Sequence, residues 1–121
     1  MSAVTWIAVA ALGSLSAMAR FLLSGWISAR SPAHLPLGTL TVNLSGALLL
    51  GLIAGLALSG NTLVLAGAAT IGSYTTFSTW MLETHQLGAQ GRTTVAVANV
   101  VVSAVLGIAA AALGRAIGGG L

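Results

Sequence analysis

The sequence predicts an all-α membrane protein of four transmembrane helices, the third of them broken near its middle. Three observations carry that expectation. First, 57% of the 121 residues are hydrophobic and 4% are charged, with a mean hydropathy of +1.04. A soluble domain carries roughly 25% charged residues, and Glu83 with Arg20, Arg30, Arg92 and Arg115 could not solvate a globular surface. Second, the apolar residues fall into four stretches of about the 20 residues that a spanning helix needs. Third, Gly72-Ser73-Tyr74-Thr75-Thr76-Phe77-Ser78-Thr79-Trp80 places a dense run of hydroxyls inside one of those stretches. Such side chains compete with the helix ladder for backbone hydrogen bonds and invite an opening. An opened helix at membrane depth is tolerated only where it is buried in protein or lines a watery path, so this run marks an ion-handling site.

The first span covers residues 4–27, with Trp6 and Trp26 placed as interfacial anchors at its ends. Val4 to Leu12 followed by Ala17-Met18-Ala19 imitates a cleavable leader, but no Lys or Arg precedes the apolar run, so an uncleaved span is expected. The connection after it holds Arg30, Pro32, His34 and Pro36, and two prolines argue against a continuing helix. The second span covers residues 37–58. In it Asn43, Ala47, Gly51 and Gly55 recur every four residues and share a face, a small-residue stripe with an amide at one end. Ser59-Gly60-Asn61 reads as a tight turn, and the third span, residues 62–87, contains the hydroxyl run. After a turn at Gly88–Gly91, the fourth span covers residues 93–113, with Asn99, Ser103, Gly107 and Ala111 on one face. Arg115 and Gly118-Gly119-Gly120 are expected outside the membrane. The whole chain, 1–121, reads as one integral membrane domain.

Arg30 and Arg92 fall in connections on one side, Arg115 and the amino terminus on the other. Orientation normally follows an excess of Lys and Arg in cytoplasmic loops. Either a one-residue excess suffices, or the near-balance lets the chain insert both ways; the second reading is favoured and permits an antiparallel, dual-topology dimer. Few charges and no basic patch exclude nucleic-acid binding. The lack of cysteine excludes disulfides, thiol catalysis and soft-metal sites. No enzymatic constellation is visible, and membrane lipid is the expected surrounding.

Four short helices with small-residue faces pack too tightly to enclose a pore, so a path needs an oligomer. The polar groups at membrane depth are Arg20, Asn43, the hydroxyl run, Glu83, His85, Asn99 and Ser103. Most are neutral donors, which suit a small anion by replacing its hydration without trapping it. Phe77 and Trp80 lie three apart on one face, either as packing residues or with positive ring edges toward an anion. Asn43 bonds between helices or meets the ion; Ser103 bonds to its own helix or joins the path. Arg20 snorkels, pairs with Glu83 or draws anions into a vestibule. Opened backbone carbonyls would suit a hard cation.

The segments Gly13–Arg20 with Phe21, Gly38-Thr39-Leu40-Thr41-Val42-Asn43-Leu44-Ser45-Gly46, Thr75-Thr76-Phe77-Ser78-Thr79 with Glu83, and Ala98-Asn99 with Ser103 run in order along the chain. In these the sequence resembles the CrcB/Fluc family of small fluoride channels over essentially its whole length. The resemblance implies an antiparallel dimer with two fluoride pathways in a cell's inner (plasma) membrane. It implies passive fluoride export, protecting cells that accumulate fluoride as the weak acid HF. It implies a structural sodium ion at the dimer centre, on the carbonyls of Gly72 and Thr75. Asn43 matches the family's pore amide, and Phe77 the first of two pore phenylalanines. Ser78, Thr79, Asn99 and Ser103 match polar groups of the path. Gly72 to Thr75 is then the break and Phe77 to Trp80 the pore wall. Trp80 departs from a usual second Phe, although an indole edge offers C–H and an N–H donor as well. Ser73 departs from a common Gly and Gly107 from a frequent hydroxyl; such departures keep open a heterodimer of two related chains. A four-span proton-coupled multidrug exporter is the competing class, disfavoured because the first span lacks a Glu and aromatics are few.

Overall fold

The computed structural model describes every residue except His34, so the part of the first connection assigned to that residue lies outside the described residues. Every regular element among the described residues is a helix, with no strand among them. Helix α1 spans Ala3–Ala29 and starts where the Ser2 hydroxyl accepts the Thr5 N–H at 3.2 Å, a side-chain cap on an otherwise unpaired donor. It stops at Arg30, whose guanidinium lies 4.2 Å from the centre of the Trp26 ring. Helix α2 (Leu37–Gly55) begins directly after Pro36, which cannot donate to a preceding turn. It ends earlier than the sequence suggests, because Ala57 adopts a left-handed φ of 55° and closes the helix before the expected Ser59–Asn61 turn.

The next helical run is composite. One turn of α-helix, α3 (Gly60–Leu63), leads into a π-helical stretch, Val64–Ile71, and a last turn, α4 (Gly72–Tyr74). The Thr70 hydroxyl donates five residues back to the Leu65 carbonyl at 2.7 Å, in step with the wider i→i+5 winding. Thr75 and Thr76 are extended, with ψ of 159° and 123°, and α5 (Phe77–Ala89) follows them. Gly72–Tyr74, expected within an opening, therefore forms a helical turn. The final helix, α6 (Thr93–Gly119), runs beyond the residue-113 limit expected for it and takes in Arg115 and Gly118.

That extension follows from packing. α2 and α6 form the most extensive helix pair in the chain. A Cβ added at Gly51 would overlap the carbonyl of Ala111, and one at Gly114 the carbonyl of Leu48. Only glycine lets the two backbones come this close, as in other small-residue membrane contacts. The stripe seen in α2 thus has its partner in the last three turns of α6. Elsewhere the interior is slight: Val42 alone among the described large side chains is fully buried. Val4, Ile7, Phe21, Leu22, Val105 and Ile108 project outward from α1 and α6. α1, α2 and α6 are long and apolar enough to cross a membrane, and so much exposed hydrocarbon would not be stable in water.

Two substitutions test this packing. Gly114→Val should lower thermal stability by more than about 2 kcal/mol, because overpacking here meets backbone that cannot yield. Gly88→Ala, where nothing lies within 4 Å of the new methyl, should leave the melting temperature in detergent unchanged or slightly raised.

Candidate functional site

The site is built where α2 meets the extended pair Thr75–Thr76. Asn43 donates from Nδ2 to the Thr76 carbonyl at 2.8 Å and accepts the Thr76 N–H on Oδ1, also at 2.8 Å. One amide side chain thus takes over both backbone groups of a residue that lies extended between two helices. The pairing also fixes the amide's orientation, since each atom meets a partner only one rotamer can satisfy. One turn further along α2, Gly46 makes room: a Cβ there would overlap the Thr75 methyl. The Thr76 hydroxyl then caps α5 by accepting the Thr79 N–H at 3.2 Å. The amides of Thr76 and Thr79 would, in an unbroken helix, close on the carbonyls of Gly72 and Thr75. Both are diverted to side chains, so those two carbonyls are released from the ladder. Arg20 makes a long 3.5 Å contact from Nη1 to the Thr75 carbonyl.

An open groove of about 260 Å³ lies on one side of Thr76, lined by Asn43, Ala47, Thr75, Thr76, Phe77 and Trp80. Phe77, in the first turn of α5, is 69% exposed. It meets Trp80 edge to face, with centroids 5.7 Å apart and planes at 88°. The Trp80 indole N–H is already engaged, donating to the Asn99 carbonyl at 3.1 Å. The ring therefore offers the groove C–H edges rather than a free donor.

A second cavity, about 290 Å³, also touches Thr76 and is lined by Arg20, Phe21, Ser24, Thr39, Val42 and Thr79. It combines one fixed positive charge with several hydroxyls, a lining that favours an anion over a cation. Glu83 does not pair with Arg20; it accepts a hydrogen bond from the Thr39 hydroxyl, while Arg20 turns to Thr75. Ser78 is exposed at the start of α5, its hydroxyl 3.3 Å from that of Thr76. Asn99 is buried on α6 and donates to the Thr84 hydroxyl at 2.8 Å. Ser103 is half-buried one turn further on, and Gly72 is exposed at the end of the π stretch. The structure thus gathers Asn43, Phe77, Thr79 and Trp80 around Thr76, whereas Glu83 and Asn99 each have another partner.

Three contributors escape sequence reasoning. Thr39 stands one turn before Asn43 and so on the same face of α2, a signal that spacing does carry. Thr84 stands one turn after Trp80, but its partner on α6 is invisible locally. The Tyr74–Ser45 hydroxyl pair, 2.9 Å apart, ties α4 to α2 in the same way.

Fold and site together define a small multi-pass membrane protein whose polar groups converge on the extended pair Thr75–Thr76. Residues 7–115 match the family model described as CrcB-like protein, Camphor Resistance (CrcB). The chain is 53% identical over 110 residues to the Fluoride-specific ion channel FluC 2 of Mycolicibacterium paratuberculosis, covering 91% of this chain and 90% of that one. It is 51% identical to FluC 2 of Mycobacterium tuberculosis, covering 91% and 87% of the two chains. It is 39% identical over 122 residues to FluC 1 of Symbiobacterium thermophilum, covering 96% and 98%. The chain belongs to the CrcB family, a family of ion channels rather than enzymes.

The clamp has a direct readout. In Asn43→Ala the Thr76 amide should exchange its hydrogen about tenfold faster or more, the size expected when a partly buried donor loses its acceptor. Amide exchange followed by mass spectrometry should confine the change to the peptide containing Thr76.

Proposed function

We propose that the chain is a fluoride-selective channel that lets fluoride leave the cell passively across the plasma (inner) membrane and so lowers its cytoplasmic level. The observation that carries this is the Asn43 clamp on Thr76. It holds Thr76 at the junction of two largely apolar cavities whose polar lining groups are hydroxyls, one amide and one arginine, beside the edges of Phe77 and Trp80. Among the described residues, neither lining holds an acid, as a proton-coupled carrier would want. The names of the relatives supply the ion. On this reading Asn43, with one N–H left over after binding Thr76, meets fluoride beside the edges of Phe77 and Trp80. Ser78, Thr79, Asn99 and Ser103 provide the polar groups along the way. Arg20 and Glu83 serve structural or vestibule roles at its mouth.

A second copy completes the site. Phe77 and the groove beside it are open in one chain, and the near-balance of arginines supports insertion in both orientations. The proposed assembly is an antiparallel dual-topology dimer whose third spans, each broken at Thr75–Thr76, face one another. The carbonyls released at Gly72 and Thr75 are hard oxygen donors and fit sodium in kind. Two are too few for such a cation, so the ion would be held jointly by both copies, where it would supply a fixed positive charge that ties them together.

A heterodimer is the second reading, favoured by one observation. Symbiobacterium thermophilum has both a FluC 1 and a FluC 2 that resemble this chain, at 39% and 45% identity. A related chain would then bring a second phenylalanine where this one has Trp80.

The residue assignment is tested with a fluoride electrode on proteoliposomes. Asn43→Ala and Phe77→Ile should each cut fluoride efflux by about tenfold or more while the dimer still forms in detergent. Full flux in both variants would overturn the assignment. Proton-driven efflux of an organic cation would instead support an exporter.

A further inference from the structure

Three hydrogen bonds form a closed circuit between α5 and α6. The Trp80 indole N–H donates to the Asn99 carbonyl at 3.1 Å, the Asn99 amide donates to the Thr84 hydroxyl at 2.8 Å, and that hydroxyl donates to the Trp80 carbonyl at 2.8 Å. The circuit begins and ends on one residue. It fixes the register of α5 against α6, because Asn99 is buried and its amide has no water to turn to. It also fixes the indole plane, because the ring is tied at its far end as well as at its backbone. A phenylalanine could not be held in this way, having no donor. Phe77 in turn rests edge to face on Trp80, so the whole aromatic wall of the groove takes its orientation from this latch.

We infer that Thr84 and Asn99 are positioning residues. They set the angle of the Trp80 ring, and through it the rate and selectivity with which an anion passes Phe77 and Trp80. This rests on the channel reading and narrows Asn99's part in it from ion contact to support. Asn43 holds one side of the groove and the latch holds the other. The chain's departure at Trp80 then comes with its own fastening, a donor matched to an acceptor on α6.

The test uses the full chain with Trp6→Phe and Trp26→Phe, so that Trp80 is the sole tryptophan, excited at a wavelength that Tyr74 does not absorb. Thr84→Val keeps the shape of the side chain and removes the hydroxyl; Thr84→Ser keeps the hydroxyl. Thr84→Val should leave Trp80 emission more open to acrylamide quenching and lower fluoride efflux by about fivefold or more. Thr84→Ser should match the parent in both. Combined with Trp80→Phe, Thr84→Val should add no further loss, since both act on one element. Thr84→Ala serves if Thr84→Val does not assemble. Unchanged quenching in Thr84→Val would overturn the inference, as would altered quenching with full flux and unchanged selectivity. If the parent carries no fluoride, the single-chain version of the channel reading fails and a heteromer is favoured, while the quenching comparison still decides whether Thr84 positions the ring.

Discussion

Two hydrogen bonds, one donated by the Asn43 amide to the Thr76 carbonyl and one accepted from the Thr76 N–H, hold the extended pair Thr75–Thr76 against α2. A residue that leaves a helix strands its own N–H and carbonyl, and in an apolar surrounding each stranded group is costly. Asn43 takes both with one side chain, so the opening is satisfied without water. The consequences spread along the chain in both directions. Toward the N-terminus, the carbonyls of Gly72 and Thr75 lose their ladder partners. Toward the C-terminus, Thr76 becomes the cap of α5 and Phe77 its first residue, which places the ring at the mouth of the groove.

The clamp is useful only if α2 stays where it is. Gly51 and Gly114 let α2 and α6 approach backbone to backbone, and Gly46 lets α2 settle against Thr75. Glycine on these faces and hydrocarbon on the outer ones divide the labour expected in lipid, where close packing rather than water exclusion joins helices. Polar side chains are then spent on a few linkages between segments: Asn43 to Thr76, Thr39 to Glu83, Asn99 to Thr84, Ser45 to Tyr74.

Much of the helical class is legible in composition, since so few charges exclude a soluble surface. The hydroxyl run points to the right region because serine and threonine compete for backbone bonds wherever they cluster. Its finer reading is displaced by the structure. Of the expected break Gly72–Thr75 only Thr75 is extended, and Thr76 joins it, because the element that chooses them is an asparagine far back in the sequence. The end of α6 differs for a related reason. Arg115 and the glycines after it read as a polar tail, yet Gly114 and Gly118 continue the contact with α2. The Trp80 indole N–H reads as a free donor in sequence, and only the neighbouring helix reveals that Asn99 has taken it. In each case the local pattern carries the chemistry, and a partner remote in sequence decides its use.

The claim that one kind of chain suffices to build an anion path around this clamp is tested most directly by the purified protein alone in vesicles loaded with potassium fluoride and potassium chloride. If the claim holds, adding a potassium ionophore releases fluoride rapidly, as movement of a charged ion requires, and chloride stays inside. Release of both halides alike, or of neither from a correctly assembled dimer, would contradict it.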